Sequence, residues 1–193
     1  MWWVELLNSF VSVLDSGGAG GGGAAFESIA TVTSAGGVST LSFTSIPSTY
    51  VALQIRGGNL QSENGTTGSY GFGIQFNSDT GANYAYHGLT GDGATAAASG
   101  ATAATSMNPI GRYTRNGESA KGAIIIDIHN YASTTQNKTV RSFSGCDMNG
   151  AGFIYGGASG LWLNTAAITS ITLLGNGNWK TGSVFSLYGI KGA

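Results

Sequence analysis

The chain has 193 residues, enough for one domain with a buried core, and 33 of them are Gly. Charged residues make up only 9%, against about 25% in ordinary soluble domains, and the formal net charge is −1. The many glycines and the few charged residues exclude a coiled coil. Basic residues do not outnumber acidic ones, so the chain lacks the positive charge that nucleic-acid binding requires. No apolar run reaches the roughly 18 residues that span a bilayer, so membrane insertion is not predicted either.

Residues 1–16 have the pattern of a short amphipathic helix. Apolar residues recur at spacings of three and four, and Trp3, Leu7, Phe10 and Leu14 form a seam over two heptads. Without a positive charge at its start, the segment does not match a signal peptide. A helix this short is marginal alone in water. We therefore expect the four seam residues to form an anchor that docks in a partner, bundles with its own copies or folds back on the domain.

Residues 17–25 are nearly all Gly and Ala, and such a composition predicts a flexible linker. A phosphate-binding loop is not predicted, because no strand precedes the run and no Lys-Ser or Lys-Thr follows it. The sequence thus divides into an anchor helix (1–16), a linker (17–25) and a β-domain (26–193).

From residue 26 onward the apolar residues alternate with period two, which is typical of half-buried strands. The predicted strands are 26–32, 38–43, 50–55, 70–76, 84–89, 123–128, 139–143, 152–155, 168–174 and 184–190. The first two form a predicted hairpin, and 123–128, the most continuously apolar, is predicted to be a central strand. Residues 94–106 lack large side chains and predict an exposed loop or arm, and 175–181 predict a turn. Ten short strands at near-regular spacing predict an all-β fold, an antiparallel β-sandwich of jelly-roll type.

Residues able to carry chemistry are few and scattered. His87 and His129 are too far apart in sequence for a recognisable metal motif, and we expect each to end a strand. Cys146 is the single cysteine, so the chain has no internal disulfide and no thiolate cluster. No nucleophile-elbow motif occurs, and the candidate carboxylates are Asp79, Asp92 and Asp127. The sequence predicts no catalytic residue, no metal, no cofactor and no enzyme; a polysaccharide-degrading activity is the remote enzymatic alternative.

Seven aromatic residues lie at or near predicted turns and allow two interpretations. Their rings could stack on sugars at a binding face, or they could fill the core of the sandwich and the seams between subunits. They are Tyr84, Tyr86, Tyr113, Tyr131, Tyr155, Trp162 and Trp179.

Several segments of the β-domain resemble a small-domain family common among proteins of tailed bacteriophages and prophages. The matching segments are FESIATVT (26–33), LSFTSIPSTYVALQIRG (41–57), GAIIIDIHNYAS (122–133), KTVRSFSGCDMNG (138–150), SGLWLNTAAITSITLL (159–174) and FSLYGIKG (185–192). The resemblance implies a structural protein of the virion, often of the tail-fibre kind, and it carries over no catalytic residue. The helix and linker at the N-terminus depart from the bare domain and are typical of a virion-docking anchor.

Two functions follow as expectations. The first is a short tail fibre or receptor-binding appendage, anchored by its N-terminal helix to a tail adaptor or baseplate, which binds a glycan or protein of the host surface. The alternative is a capsid decoration protein that stabilises the head shell. In both cases the chain is located in the virion, and its low charge predicts self-association as a homotrimer.

Overall fold

The computed structural model describes residues 25–148 and 155–192. Within this part of the chain the secondary structure consists of strands, with no helix and hence none long and apolar enough to cross a membrane. The predicted anchor helix, with Trp3, Leu7, Phe10 and Leu14, lies outside the described residues. The strands are β1 (Phe26–Thr33), β2 (Val38–Phe43), β3 (Ala52–Leu60), β4 (Ser69–Phe76), β5 (Tyr84–Gly91), β6 (Ala96–Ala104), β7 (Met107–Thr114), β8 (Gly122–His129), β9 (Lys138–Gly145), β10 (Tyr155–Trp162), β11 (Ile171–Trp179) and β12 (Val184–Ile190).

These strands form two antiparallel sheets. The larger sheet has eight strands in the order β1-β12-β3-β8-β9-β10-β5-β6, and the smaller has four in the order β2-β11-β4-β7. Their inner faces enclose one continuous hydrophobic core. The predicted all-β antiparallel sandwich is confirmed at this level of detail.

The alternation of side chains along β8 shows how the core is built. Ile124, Ile126 and Ile128 point into the core, whereas Ile125 between them is 45% exposed on the opposite face. Each strand of a half-buried sheet sends alternate side chains to opposite faces, so a continuous apolar run supplies only half of its residues to the core. The strand pairs with β3 on one side and β9 on the other, which confirms its predicted central position.

Aromatic rings fill most of the space between the sheets at one end of the core. The ring of Phe72 lies 5.3 Å from Trp179, 5.8 Å from Tyr113 and 5.9 Å from Phe185, with edge-to-face geometry in each case. These residues come from β4, β11, β7 and β12, so the cluster joins both sheets.

The predicted hairpin of the first two strands is wrong. β1 pairs with β12 and β2 pairs with β11, so the two strands belong to different sheets. The connection turns at Gly36 (φ 91°) and Gly37 (φ 74°), in a backbone conformation that favours glycine. Turn residues indicate that the chain reverses, but they do not specify the strand with which the next one pairs.

Residues 94–106 are not a loop, because most of them form the edge strand β6. Its side chains are Ala, Ser, Gly and Thr, and such small residues give no alternation from which a strand could be predicted.

Residues 175–179 continue β11 through an irregularity in its pairing with β2, so the turn predicted at 175–181 is confined to the last residues of that range. The structure also has a strand, β7, where the sequence predicts none. This strand contains Pro109 and lies at the edge of the smaller sheet, where a missing N–H is tolerated.

Candidate functional site

A cluster of polar side chains with two exposed apolar neighbours lies on the outer surface of the larger sheet. Its side chains come from β3, β8 and β9, where they alternate with core residues such as Leu53 and Ile55. We call this cluster the outer face, and its members are Gln54, Arg56, Ile125, Asp127, Arg141 and Phe143. Strand register sets them in two rows: Arg56 is opposite Ile125 and Ile125 opposite Phe143, while Gln54 is opposite Asp127 and Asp127 opposite Arg141.

A chain of hydrogen bonds links the polar members of the outer face. Arg56 Nε donates to Gln54 Oε1 at 2.7 Å, and Gln54 Nε2 donates to Asp127 Oδ1 at 2.8 Å. Arg141 Nε donates to Asp127 Oδ2 at 2.8 Å. Burial acts to raise the pKa of Asp127, but the hydrogen bonds from Gln54 and Arg141 outweigh it and hold this pKa below its usual value. Asp127 is therefore ionised at neutral pH and fixes the arginine in place.

The outer-face ion pair contributes little to folding stability. The Arg141 side chain is 72% exposed, and exposed ion pairs are typically worth about 0–1 kcal/mol. Its main consequence is orientation, because the Nε bond leaves the terminal Nη atoms of Arg141 without a partner among the described residues.

Arg56 is held in a similar way at the other end of the network. Its guanidinium carbon lies 5.4 Å from the ring centre of Phe26 and 5.5 Å from that of Tyr188. Since its Nε is bonded to Gln54, both Nη atoms again lack a hydrogen-bond partner within the part of the chain that the structure describes. The two arginines thus present pre-oriented donor groups on one rigid sheet.

Two open depressions flank the side chains of β9. One, of about 470 Å³, is lined by Gln54, Ile125, Asp127 and Phe143 together with Arg141. The other, of about 410 Å³, lies over β10. Its lining residues are His87, Gly88, Leu89, Ser142, Gly157, Ala158 and Ser159. The second depression exists because the outward residues of β10 beside Leu89 and His87 are the small Gly157 and Ser159.

The residues that the sequence marked for chemistry are dispersed. His87 is exposed within β5 rather than at a strand end, while His129 ends β8 as predicted. Cys146 is buried immediately after β9, and burial raises the pKa of its thiol. Asp92 caps a turn by accepting hydrogen bonds from the backbone N–H groups of Ala94 and Thr95. The described residues contain no group of three His, Cys, Asp or Glu that could hold a metal ion.

Most of the seven aromatic residues near predicted turns belong to the core and not to a sugar-binding face. Five of the seven, Tyr84, Tyr113, Tyr131, Trp162 and Trp179, are fully buried, so stacking on sugars is excluded for them. Tyr86 is partly buried and packs against the core.

Nothing in the amino-acid sequence alone singles out Arg56, Arg141 or Phe143. The available signal was weak: Gln54 and Arg56, or Arg141 and Phe143, alternate with apolar or small residues along their strands. Such alternation indicates which side chains face solvent, but it does not show which of them are neighbours on adjacent strands.

Comparison with known proteins adds no assignment, since no family model matches the chain and no similar curated protein is found.

Proposed function

We propose that this chain is a structural protein of a tailed-bacteriophage virion, a short tail fibre or receptor-binding appendage. In this proposal the sandwich presents the outer face to the host surface, and residues 1–16 attach the protein to another virion protein. The observation that carries it is the pair of arginines, Arg56 and Arg141, which lie on the same face of the larger sheet as the exposed Phe143 and use Nε for hydrogen bonds within the protein. A rigid sheet with oriented polar groups and an exposed aromatic ring suits recognition of another surface.

The positions of the phage-like segments support the proposal. Segments 26–33, 122–133 and 185–192 coincide with β1, β8 and β12, and segment 41–57 includes the first half of β3. These four strands are adjacent in the larger sheet, in the order β1-β12-β3-β8. The other two segments, 138–150 and 159–174, cover β9, the second half of β10 and the start of β11, so the resemblance extends over strands of both sheets.

The jelly-roll form of the sandwich belongs to the same proposal. Strands β1 to β4 alternate between the two sheets, and β7, β8, β11 and β12 do so again. Four-strand orders of β1-β12-β3-β8 and β2-β11-β4-β7 are what two Greek keys wound into a jelly roll require. In this interpretation β5, β6, β9 and β10 extend one sheet of the roll.

A homotrimer is the proposed state of assembly. Its support is the low charge of the chain and the character of β6, one of the two edge strands of the larger sheet. Nearly all of its residues are exposed, and none is charged, bulky or Pro. An uncharged edge strand offers unpaired backbone groups to another chain.

Counting the protein in purified virions tests the proposed function. An appendage is expected on the order of tens of copies per particle, with antibody labelling confined to the tail. Hundreds of copies with labelling over the head would identify the alternative, a capsid decoration protein. Absence of the protein from washed virions would refute both.

A further inference from the structure

We infer that the outer face binds an acidic polysaccharide, a glycan chain that carries carboxylate groups along its length. This inference rests on the proposed receptor-binding function and names the ligand class of the same site. The first argument is charge: the outer face carries the two positive side chains Arg56 and Arg141 and the one negative side chain Asp127, on a chain whose net charge is −1. An anionic ligand is complementary to this face and not to the molecule as a whole.

The second argument is the geometry of the arginines. Each uses Nε within the protein, at 2.7 Å to Gln54 for Arg56 and 2.8 Å to Asp127 for Arg141. Their Nη groups are therefore available to a ligand, and guanidinium donors match the two oxygens of a carboxylate. Arg56 also packs over the rings of Phe26 and Tyr188, so less conformational entropy of that side chain is lost when a ligand arrives.

The third argument concerns what lies between the cations. Asp127 separates the two arginines and accepts one hydrogen bond at each oxygen. A carboxylate has about four acceptor positions, so it can also accept hydrogen bonds from sugar hydroxyls. A densely charged chain such as nucleic acid would be repelled by Asp127 at this point. A glycan with carboxylates separated by neutral, hydroxyl-bearing stretches fits the alternation of positive, negative and positive groups.

The fourth argument is shape. The depressions beside β9 are open and shallow, and together they extend across the sheet from Gln54 to Leu89. Phe143 is 52% exposed and Ile125 45% exposed, which offers apolar contact to the faces of sugar rings. An extended chain that lies across the sheet would contact both depressions, whereas a compact ligand would leave most of this surface unoccupied.

Binding of the full-length protein to hyaluronan, in which each glucuronate is followed by a neutral N-acetylglucosamine, tests the inference by calorimetry, with uncharged dextran as the control ligand. Hyaluronan should bind and dextran should not. Arg56→Gln and Arg141→Gln should each weaken binding about tenfold or more, because each removes a charge-assisted contact. Lys180→Gln makes the same charge change at an Asn116-bonded lysine in a loop, and it should leave affinity unchanged. Phe143→Ser should also weaken binding, and Val38→Ser, an exposed apolar site on the smaller sheet, should not.

Several results would overturn the inference. The first is no binding of hyaluronan by the wild-type protein, the second is equal binding of dextran, and the third is equal weakening of binding by Arg141→Gln and Lys180→Gln. Dissociation of the oligomer by Phe143→Ser, without glycan binding in the wild type, would make the outer face an interface between copies instead. Virion incorporation is measured separately: a protein that enters virions but binds no glycan refutes this inference alone, and absence from virions refutes the proposed function.

Discussion

The indole Nε1 of Trp162 donates a 2.8 Å hydrogen bond to Oδ2 of Asp79. Trp162 is fully buried on β10, and Asp79 lies in the connection between β4 and β5. The same carboxylate accepts hydrogen bonds from the Asn83 side chain and from the backbone N–H of Gly81. One acidic residue therefore fastens a connection between the two sheets to the core.

Replacing Asp79 with Asn should destabilise the fold by about 1–2 kcal/mol, because Trp162 and Asn83 lose a charged acceptor. The hydrogen bond from Trp162, followed by that from Asn83, lowers the pKa of Asp79. A carboxyl whose pKa is lower in the folded state stabilises the fold above its unfolded pKa of about 3.9, and this stabilisation is lost as pH falls through the folded pKa. Urea denaturation at neutral and acidic pH should therefore show less acid sensitivity in Asp79→Asn than in the wild type. An unchanged acid dependence would contradict this role.

Adjacent glycines on β3 provide a matched pair. A Cβ on Gly57 would lie 2.6 Å from Phe185 Cε1 and 2.8 Å from Ile124 Cγ2, whereas a Cβ on Gly58 would meet nothing within 4 Å. Gly57→Ala should cost about 1–3 kcal/mol through overpacking of the core. Gly58→Ala should be neutral or slightly stabilising, since it restricts the unfolded chain without a clash. Thermal unfolding of both variants measures the difference, and equal midpoints would disprove the packing argument.

Lys138 is fully buried, and its ammonium group donates to the backbone carbonyls of Gln136, Asn164 and Thr165. Lys138→Met keeps the aliphatic stem but leaves these acceptors without their donor, so we expect a loss of about 1–3 kcal/mol. Lys191→Met at an exposed lysine is the control and should have a much smaller effect. Guanidinium denaturation distinguishes the two, and equal effects would show that the buried ammonium is not needed.

The predicted anchor helix can be tested by substitutions on its two faces. Phe10→Asp places a charge in the apolar seam and should abolish attachment to the virion, whereas Ser9→Asp on the opposite face should be tolerated. Deleting residues 1–16 should likewise stop incorporation while the sandwich still unfolds cooperatively. Equal loss from both substitutions would contradict the seam, and loss of the cooperative melt on deletion would place the segment in the core.

The proposed homotrimer is tested by native mass spectrometry at micromolar protein concentration. If β6 contributes its edge to the assembly, Ala98→Lys should favour smaller species, because a charge on an edge strand opposes pairing with another chain. Ser39→Lys, on the edge strand β2 of the other sheet, is the control and should leave the assembly unchanged. A monomeric wild-type protein would refute the trimer.

The class of fold and most strand positions follow from the amino-acid sequence alone. Period-two alternation, as in Phe72, Ile74 and Phe76 of β4, requires a strand with one buried face, and the structure has these residues in the core. Strand prediction from alternation failed for two strands. The residues of β6 are all small and do not alternate, and Pro109 interrupts the alternation in β7. Burial of alternate apolar residues is a local property of the chain, so it can be predicted without knowing the partners of a strand.

Strand pairing and the composition of the outer face, in contrast, depend on how the two sheets pack. Gln54 and Asp127 are 73 residues apart, yet their side chains are joined by a 2.8 Å hydrogen bond because β3 and β8 are neighbours in one register. Arg141 joins them from a third strand. Which solvent-facing side chains meet depends on sheet order and register, and these are set by how the two inner faces pack together. No local pattern around Gln54, Asp127 or Arg141 carries that information.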